Sequence, residues 1–206
     1  MHFYRYGIDL ERLEAKHLEM VRQWRNQNAV RSRMRYQKKI GAASHVEWFK
    51  KLDAGNDWYF VTVQNEMPFG LFHIKEVDWT RRVGEAGGFV SKTELIGATE
   101  AGVTILALMD FAFFILGLDF LEASYGCGHQ EIVQLNRQLG YEIFAVGPDG
   151  FARARVSATS YLRATEKLRR AAARIHGAET RLTDLDPWLA AHIKKPHPNG
   201  TVLFQG

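Results

Sequence analysis

The segments VGEAGGFVSK (83–92), ATEAGVTILALMDFAFFILG (98–117) and LDFLEASYGCGHQEIVQLNRQLGYEIF (118–144) decide the fold. Their periodicity predicts, in order, a strand, a loop, a buried helix, a strand, a second helix and a strand. The first strand holds Gly87 and Gly88 in its interior. A glycine there gives up packing area and marks a bulge or a place where a ligand comes close to the backbone. Residues 105–118 are apolar around the whole helix apart from Asp110, the pattern of a core helix. A short strand over 120–124 follows, and the glycines of 126–128 loosen the chain before a helix over 130–139. Gly140 stands where a helix ends on a left-handed residue.

Outward from this stretch, DWYFVTVQ (57–64) and FGLFHIKEV (69–77) alternate as two strands joined at Asn65-Glu66, an antiparallel hairpin. Residues 6–15 read as a first strand, and 16–25 as a helix with Leu18, Val21 and Trp24 on one face. The basic arm VRSRMRYQKK (30–39) has no governing period and reads as a loop or a broken helix. Ser44 with Glu47 three residues on is a capping box, so a helix is expected to begin there. After a strand over 141–146, Pro148-Asp149-Gly150 makes a tight turn, and 151–162 is expected to be the last strand. A cationic helix over 165–176 ends at Gly177, and Asp186-Pro187 opens a short final helix. The expected organisation is one domain over 1–165 and a helical extension over 166–198. Residues 199–206, ending TVLFQG, are set aside as the remnant of a viral-protease cleavage tag.

With 206 residues and 46% hydrophobic content, the chain can bury one good core. Its single cysteine, Cys127, excludes an internal disulfide and favours a reducing compartment. The first twenty residues contain no uninterrupted apolar run, and 105–118 is too short to span a bilayer, so a soluble cytoplasmic protein without a membrane partner is expected. The formal charge of +4 is uneven: from Gly150 onward there are ten Lys and Arg against four Asp and Glu. A basic terminal helix suits nucleic acid, or a solvated face, or the edge of a homodimer; the last two are preferred. Cys127 and His129 are two apart and the other histidines are scattered, so no metal is expected. Cys127 as an acyl-carrying nucleophile is weighed against a small packed thiol, and the packed thiol is preferred.

Over roughly residues 5–165 the order of pieces resembles the acyl-coenzyme A core of the GNAT N-acetyltransferases. The pieces are Trp24-Arg25-Asn26, SHVEWF (44–49), Gly70, the Gly87-Gly88 strand, MDFAF (109–113) and LGY (139–141). The resemblance is nearest to the branch of ribosomal-protein and spermidine acetyltransferases, and within it to enzymes that acetylate a nucleotide-linked 4-amino sugar in pseudaminic-acid synthesis. It implies an α/β (α+β) fold: a mixed, mostly antiparallel sheet flanked by helices, with a C-terminal helical extension. It also implies acetyl-CoA as co-substrate. Direct transfer to the amine of a small-molecule acceptor, a nucleotide-linked amino sugar, is the first expectation. The alternatives are a protein N-terminus, a polyamine, or a degenerate domain that binds coenzyme A, nucleic acid or a partner.

Such chemistry needs backbone N–H groups for a pyrophosphate, a donor for the thioester oxygen, and routes for two protons. The resemblance puts the pyrophosphate at IGATEAG (96–102), with Gly97, Thr99, Ala101 and Gly102; Thr99 stands where the family has its first glycine. Gly87, Gly88, Phe89 and Val90 are the candidates to lie along the pantetheine. On the acceptor side the resemblance points to Arg25 and His45, and Asn26, Lys75 and Glu76 are further candidates. Guanidinium forks match phosphate geometry. The amino-sugar enzymes differ at Lys75 and Glu76 and carry a tyrosine where Phe89 stands. Glu85 and His73 are titratable candidates on the two central strands. Where GNAT enzymes place a proton-donating tyrosine this chain has Asn136, whose amide cannot deliver a proton at neutral pH. His129, opening the same helix, is the candidate acid in its place.

Overall fold

The computed structural model describes residues 1–95, 99–185 and 187–192. Two strands, β1 (His2–Arg5) and β2 (Ile8–Arg12), open the chain where one was expected. They turn at Tyr6-Gly7, both with positive φ (53° and 75°). Two left-handed residues make the type of hairpin turn whose twist matches its strands. Tyrosine is not a usual residue there, so the turn left no signal. The helix α1 (Leu18–Asn26) follows, then the short α2 (Asn28–Arg31) and α3 (Ala42–Lys50). The expected capping box at Ser44 does not form. α3 begins earlier, with Gly41 at its N-cap; the Ser44 hydroxyl donates to the Gly41 carbonyl, and Glu47 pairs with Lys50.

Strands β3 (Trp58–Gln64) and β4 (Met67–Asp78) form the expected antiparallel hairpin, and β5 (Val83–Val90) pairs antiparallel with β4 to extend it into a meander. α4 (Thr99–Asp110) continues through a wider π turn over Phe111–Ile115. Then come β6 (Phe120–Gly126), α5 (Gln130–Gln138), β7 (Glu142–Val146) and β8 (Phe151–Ser157). Gly140 takes φ of 88° just past α5, as read from the sequence. The strand expected over 151–162 stops at Ser157, whose hydroxyl accepts from the Ser160 N–H and caps α6 (Ala158–His176). The chain turns helical there because Tyr161 and Thr165 then face the core, where both are fully buried. β9 (Thr180–Thr183) and α7 (Pro187–His192) complete the described chain. The C-terminal extension is therefore helical at α6 and α7, and it also returns a strand that pairs antiparallel with β1. Residue 165 lies inside α6 rather than at a break.

The strands form one sheet in the order β7-β8-β6-β5-β4-β3-β2-β1-β9. Among the described residues β5 and β6 are the one parallel pair, so the sheet is mixed and mostly antiparallel. One face carries the main core, where α4, α5 and α6 bury Leu106, Met109, Phe111 and Tyr161 against Ile8, Trp58, Phe60 and Leu121. The other face packs α1 and α3 through Leu18, Val21, Trp48 and Phe49 onto Val61, Leu71 and Phe89.

Asp110 ends α4 inside the main core, fully buried. Its carboxylate accepts from Tyr6 (2.7 Å), Tyr161 (2.8 Å) and Arg5 Nε (2.5 Å), and Arg169 Nε lies 3.1 Å away. Burial, then the adjacent carboxylate, pushes the Tyr161 hydroxyl well above its usual range. The cluster ties β1, α4 and α6 together.

Candidate functional site

The parallel pairing of β5 with β6 covers only Val83, Gly84 and Glu85 against Phe120, Leu121 and Glu122. Beyond Glu85 the strands part, and the β5 backbone groups that point toward β6 have no strand partner. A cavity of about 440 Å³ fills the opening. Its walls include Ala86 to Val90 of β5, Ala101 and Ile105 of α4, Ser124 to Gly126 of β6, and Ile132 and Leu135 of α5. A second cavity of about 480 Å³ lies under α1, α3 and the 28–40 arm. The two share Met34, His73, Gly88 and Phe89, so they meet at the middle of β4 and β5.

The second cavity has an aromatic wall. His45 stacks on Trp48 (5.0 Å between centroids), Trp48 meets Tyr59 edge-on (5.1 Å), and Tyr59 lies against His73 (4.8 Å). Burial pushes the His73 imidazole down to about 3, with Lys75 adding to the shift, so the ring is neutral at physiological pH. Its nitrogens have no hydrogen-bond partner among the described residues. Burial also lowers His45, which is 5% exposed and whose Nδ1 has no partner among the described residues. Arg25 donates through Nη2 to the Tyr36 carbonyl (2.8 Å), while its buried Nη1 has no partner among the described residues. Among the described residues Arg25 is the only formally charged one lining this cavity, and no carboxylate among them lines it.

The arm closes over the junction. Arg33 pairs with Glu131 of α5 (3.0 Å), and Arg35 reaches Ser124 (3.3 Å) and Asp149 (3.1 Å) and covers the Phe151 ring. Asn26 fixes the arm's far end: its amide accepts from the Ile40 N–H (2.7 Å) and donates to the Ile40 carbonyl (2.8 Å). Both polar atoms of Asn26 are thus occupied, and the residue lines neither cavity.

Of the other residues singled out from the sequence, His129 and Glu85 line the first cavity. Lys75 lines it too, held between Glu85 (3.3 Å) and Glu76 (2.9 Å). Glu76 sits on a bulge with positive φ, exposed and outside both cavities. Asn136 turns back along its helix to donate to the Ile132 carbonyl (2.9 Å) and lines neither cavity. Thr99 and Gly102 lie in the first turn of α4, next to Ala101 but off the cavity wall. Gly97 lies outside the described residues. Tyr59, Met34 and Tyr125 were not singled out, and Trp48 entered only within SHVEWF (44–49), since each reads in sequence as an ordinary apolar position.

The glycine pair has an internal reason. A Cβ on Gly88 would lie 2.5 Å from the Phe72 ring and 2.7 Å from the Leu71 carbonyl, and one on Gly87 would lie 2.9 Å from His73 Nε2. Phe72 and His73 are their direct partners across β4. The glycines make room for these rings, and in doing so they leave bare backbone along the first cavity.

With this geometry in place, solved structures of the same shape can be compared. A spermidine N-acetyltransferase from Vibrio cholerae, in complex with CoA and spermine, superposes with a TM-score of 0.66 at 18% identity, over 76% of this chain and 98% of that one. The chain shares the fold of these acetyltransferases. A domain from Methanocaldococcus jannaschii gives 0.64 at 15% identity, over 73% and 97%. A dodecameric form of the Vibrio cholerae enzyme gives 0.62 at 18%, over 76% and 96%. No family model and no curated protein matches the sequence. Among the described residues no helix is long and apolar enough to cross a membrane, and no cluster of His, Cys, Asp or Glu is placed to hold a metal ion.

Proposed function

We propose that the protein is an N-acetyltransferase that moves an acetyl group from acetyl-CoA to the amine of a small molecule by direct attack. The observation that carries this reading is the meeting of two cavities at His73, Gly88 and Phe89, beside a strand whose backbone has lost its partner. A thioester in the first cavity would find β5 amide groups free to bond its oxygen. A pyrophosphate would find the start of α4 beside Ala101. An amine in the second cavity would meet neutral His73, a hydrogen-bond acceptor that carries no charge to repel an ammonium.

Two acceptor classes follow. Several of the neighbouring structures are spermidine acetyltransferases, one in complex with CoA and spermine, and this favours a polyamine over the nucleotide-linked amino sugar suggested by the sequence. An anionic amine, of which such a sugar is one example, is a second reading. It rests on Arg25 with its unpartnered Nη1 and on a cavity lining without a carboxylate. A thermal-shift and turnover panel of acetyl-CoA with spermidine, spermine, nucleotide-amino sugars and short RNA tests these readings. Stabilisation by acetyl-CoA and thiol release with one amine class are expected. Stabilisation by RNA alone would sink the enzyme reading.

A further inference from the structure

We infer that Tyr125 is the acid that protonates the departing thiolate, an assignment that rests on the acetyltransferase reading above. Continuing the β5–β6 register past Glu85 and Glu122 sets Gly88 across the opened gap from Tyr125. Strand alternation puts both on the main-core face, as it does Gly84 and Leu121. Gly88 stands where the two cavities meet, and Tyr125 lines the first of them.

The hydroxyl is free for the task. It has no hydrogen-bond partner among the described residues, although the residue is 8% exposed. It is also not among the sealed polar atoms, so its oxygen opens onto the cavity. Tyr125 sits among Ile105, Ile132 and Leu135, an apolar wall in which a thiolate is poorly solvated and a nearby donor counts for more. Burial, followed by the neighbouring Cys127 thiol, raises the phenol above its ordinary range, and Arg137 opposes the shift; the group is therefore protonated at neutral pH. Asn136 is turned away and committed to Ile132. His129 lies at the cavity's outer side with 37% of its side chain exposed, 3.9 Å from Glu131.

The step balances as follows. The amine nitrogen forms a bond to the thioester carbon, and the C–S bond breaks with its electron pair on sulfur. The Tyr125 O–H proton passes to that sulfur. The phenolate then recovers, through water, the proton that the attacking nitrogen sheds as it becomes the amide, leaving the enzyme unchanged.

The test compares wild type with Tyr125→Phe, His129→Gln and a 3,5-difluorotyrosine substitution at 125. CoA thiol release is followed with each amine of the panel, and acetyl-CoA affinity by calorimetry. Tyr125→Phe should lower kcat by about 10²-fold or more with acetyl-CoA affinity unchanged. The fluorinated ring keeps the packing but is more acidic, so the alkaline fall in kcat should move to lower pH, a change that a packing role would not produce. An unchanged kcat in Tyr125→Phe, or an alkaline limb unmoved by fluorination, would overturn the assignment. A loss confined to His129→Gln would give the role to the histidine. If wild type bound no acetyl-CoA, the acetyltransferase reading would fall, and this assignment with it.

Discussion

Two buried polar regions of this molecule sit on opposite faces of one sheet and are treated differently. At Asp110 both carboxylate oxygens are answered: Tyr6 and Arg5 donate to one and Tyr161 to the other, while Arg169 Nε, with no hydrogen bond among the described residues, stands 3.1 Å away as an ion pair. In the second cavity Arg25 Nη1 and His45 Nδ1 are sealed from water without a partner, and His73 makes no hydrogen bond, among the described residues. An unmet buried polar atom costs about 1–3 kcal/mol. The first region is a joint of the structure; in the second, residues with unmet polar atoms line a cavity.

The largest test of that contrast is Asp110→Ala. It strands two guanidinium groups in the core and should lower unfolding stability by about 3–5 kcal/mol in urea titration. A loss below about 1 kcal/mol would mean that the cluster is not a joint. Arg25→Ala, in contrast, should leave stability almost unchanged and act on the acceptor. With an anionic amine its KM should rise by roughly ten- to over a hundredfold, equivalent to about 1.5–3 kcal/mol. With spermidine it should fall, because the one formal cation of the lining is gone. An unmoved KM for both would take Arg25 out of the site.

At neutral pH the smallest effect concerns His73, whose contribution shows only on acidification. Its folded pKa is depressed to about 3 from 6.5, so the folded state binds fewer protons than the unfolded chain between those values. Its neutral burial therefore favours folding in full above about pH 6.5, and this contribution is lost as pH falls from 6.5 toward 3. His73→Phe should flatten that part of the stability curve. A variant that tracks wild type through the window would show that the ring is solvated and free to charge.

The fold was legible where one period dominates: the alternation of β3 and β4, the apolar run of α4, and the helix before Gly140. It was less legible where a residue works against its usual habit, as at the Tyr6-Gly7 turn, or where two patterns join, as at ARARVS running into α6. The site divides in the same way. Arg25, His45, His73 and the glycine strand carry chemistry or an unusual residue type, and all of them line the cavities. Asn26 and Asn136 looked equally suited, but which partner an amide takes is decided by backbone hydrogen bonds that appear only once the chain is folded. Tyr125 was hidden for the opposite reason: a strand residue alternating inward looks like core, and only the parting of two strands, a property of pairing and not of composition, opens a cavity beside it. Gly88 showed itself, but for a motive that sequence does not display, since its partner Phe72 lies sixteen residues back on another strand.

The arm over the junction has its own energetics. It is fastened by exposed ion pairs, Arg33 with Glu131 and Arg35 with Asp149. Such pairs are worth about 0–1 kcal/mol each and weaken as salt shortens the Debye length to about 8 Å at physiological strength. The sheet beneath it is fastened by packed rings. Raising the arm's middle therefore takes a few thermal units of energy, while distorting the floor would take a sizeable fraction of the whole folding free energy. Raising salt should therefore loosen the arm's middle before it disturbs the central strands, which hydrogen exchange at low and high ionic strength would measure.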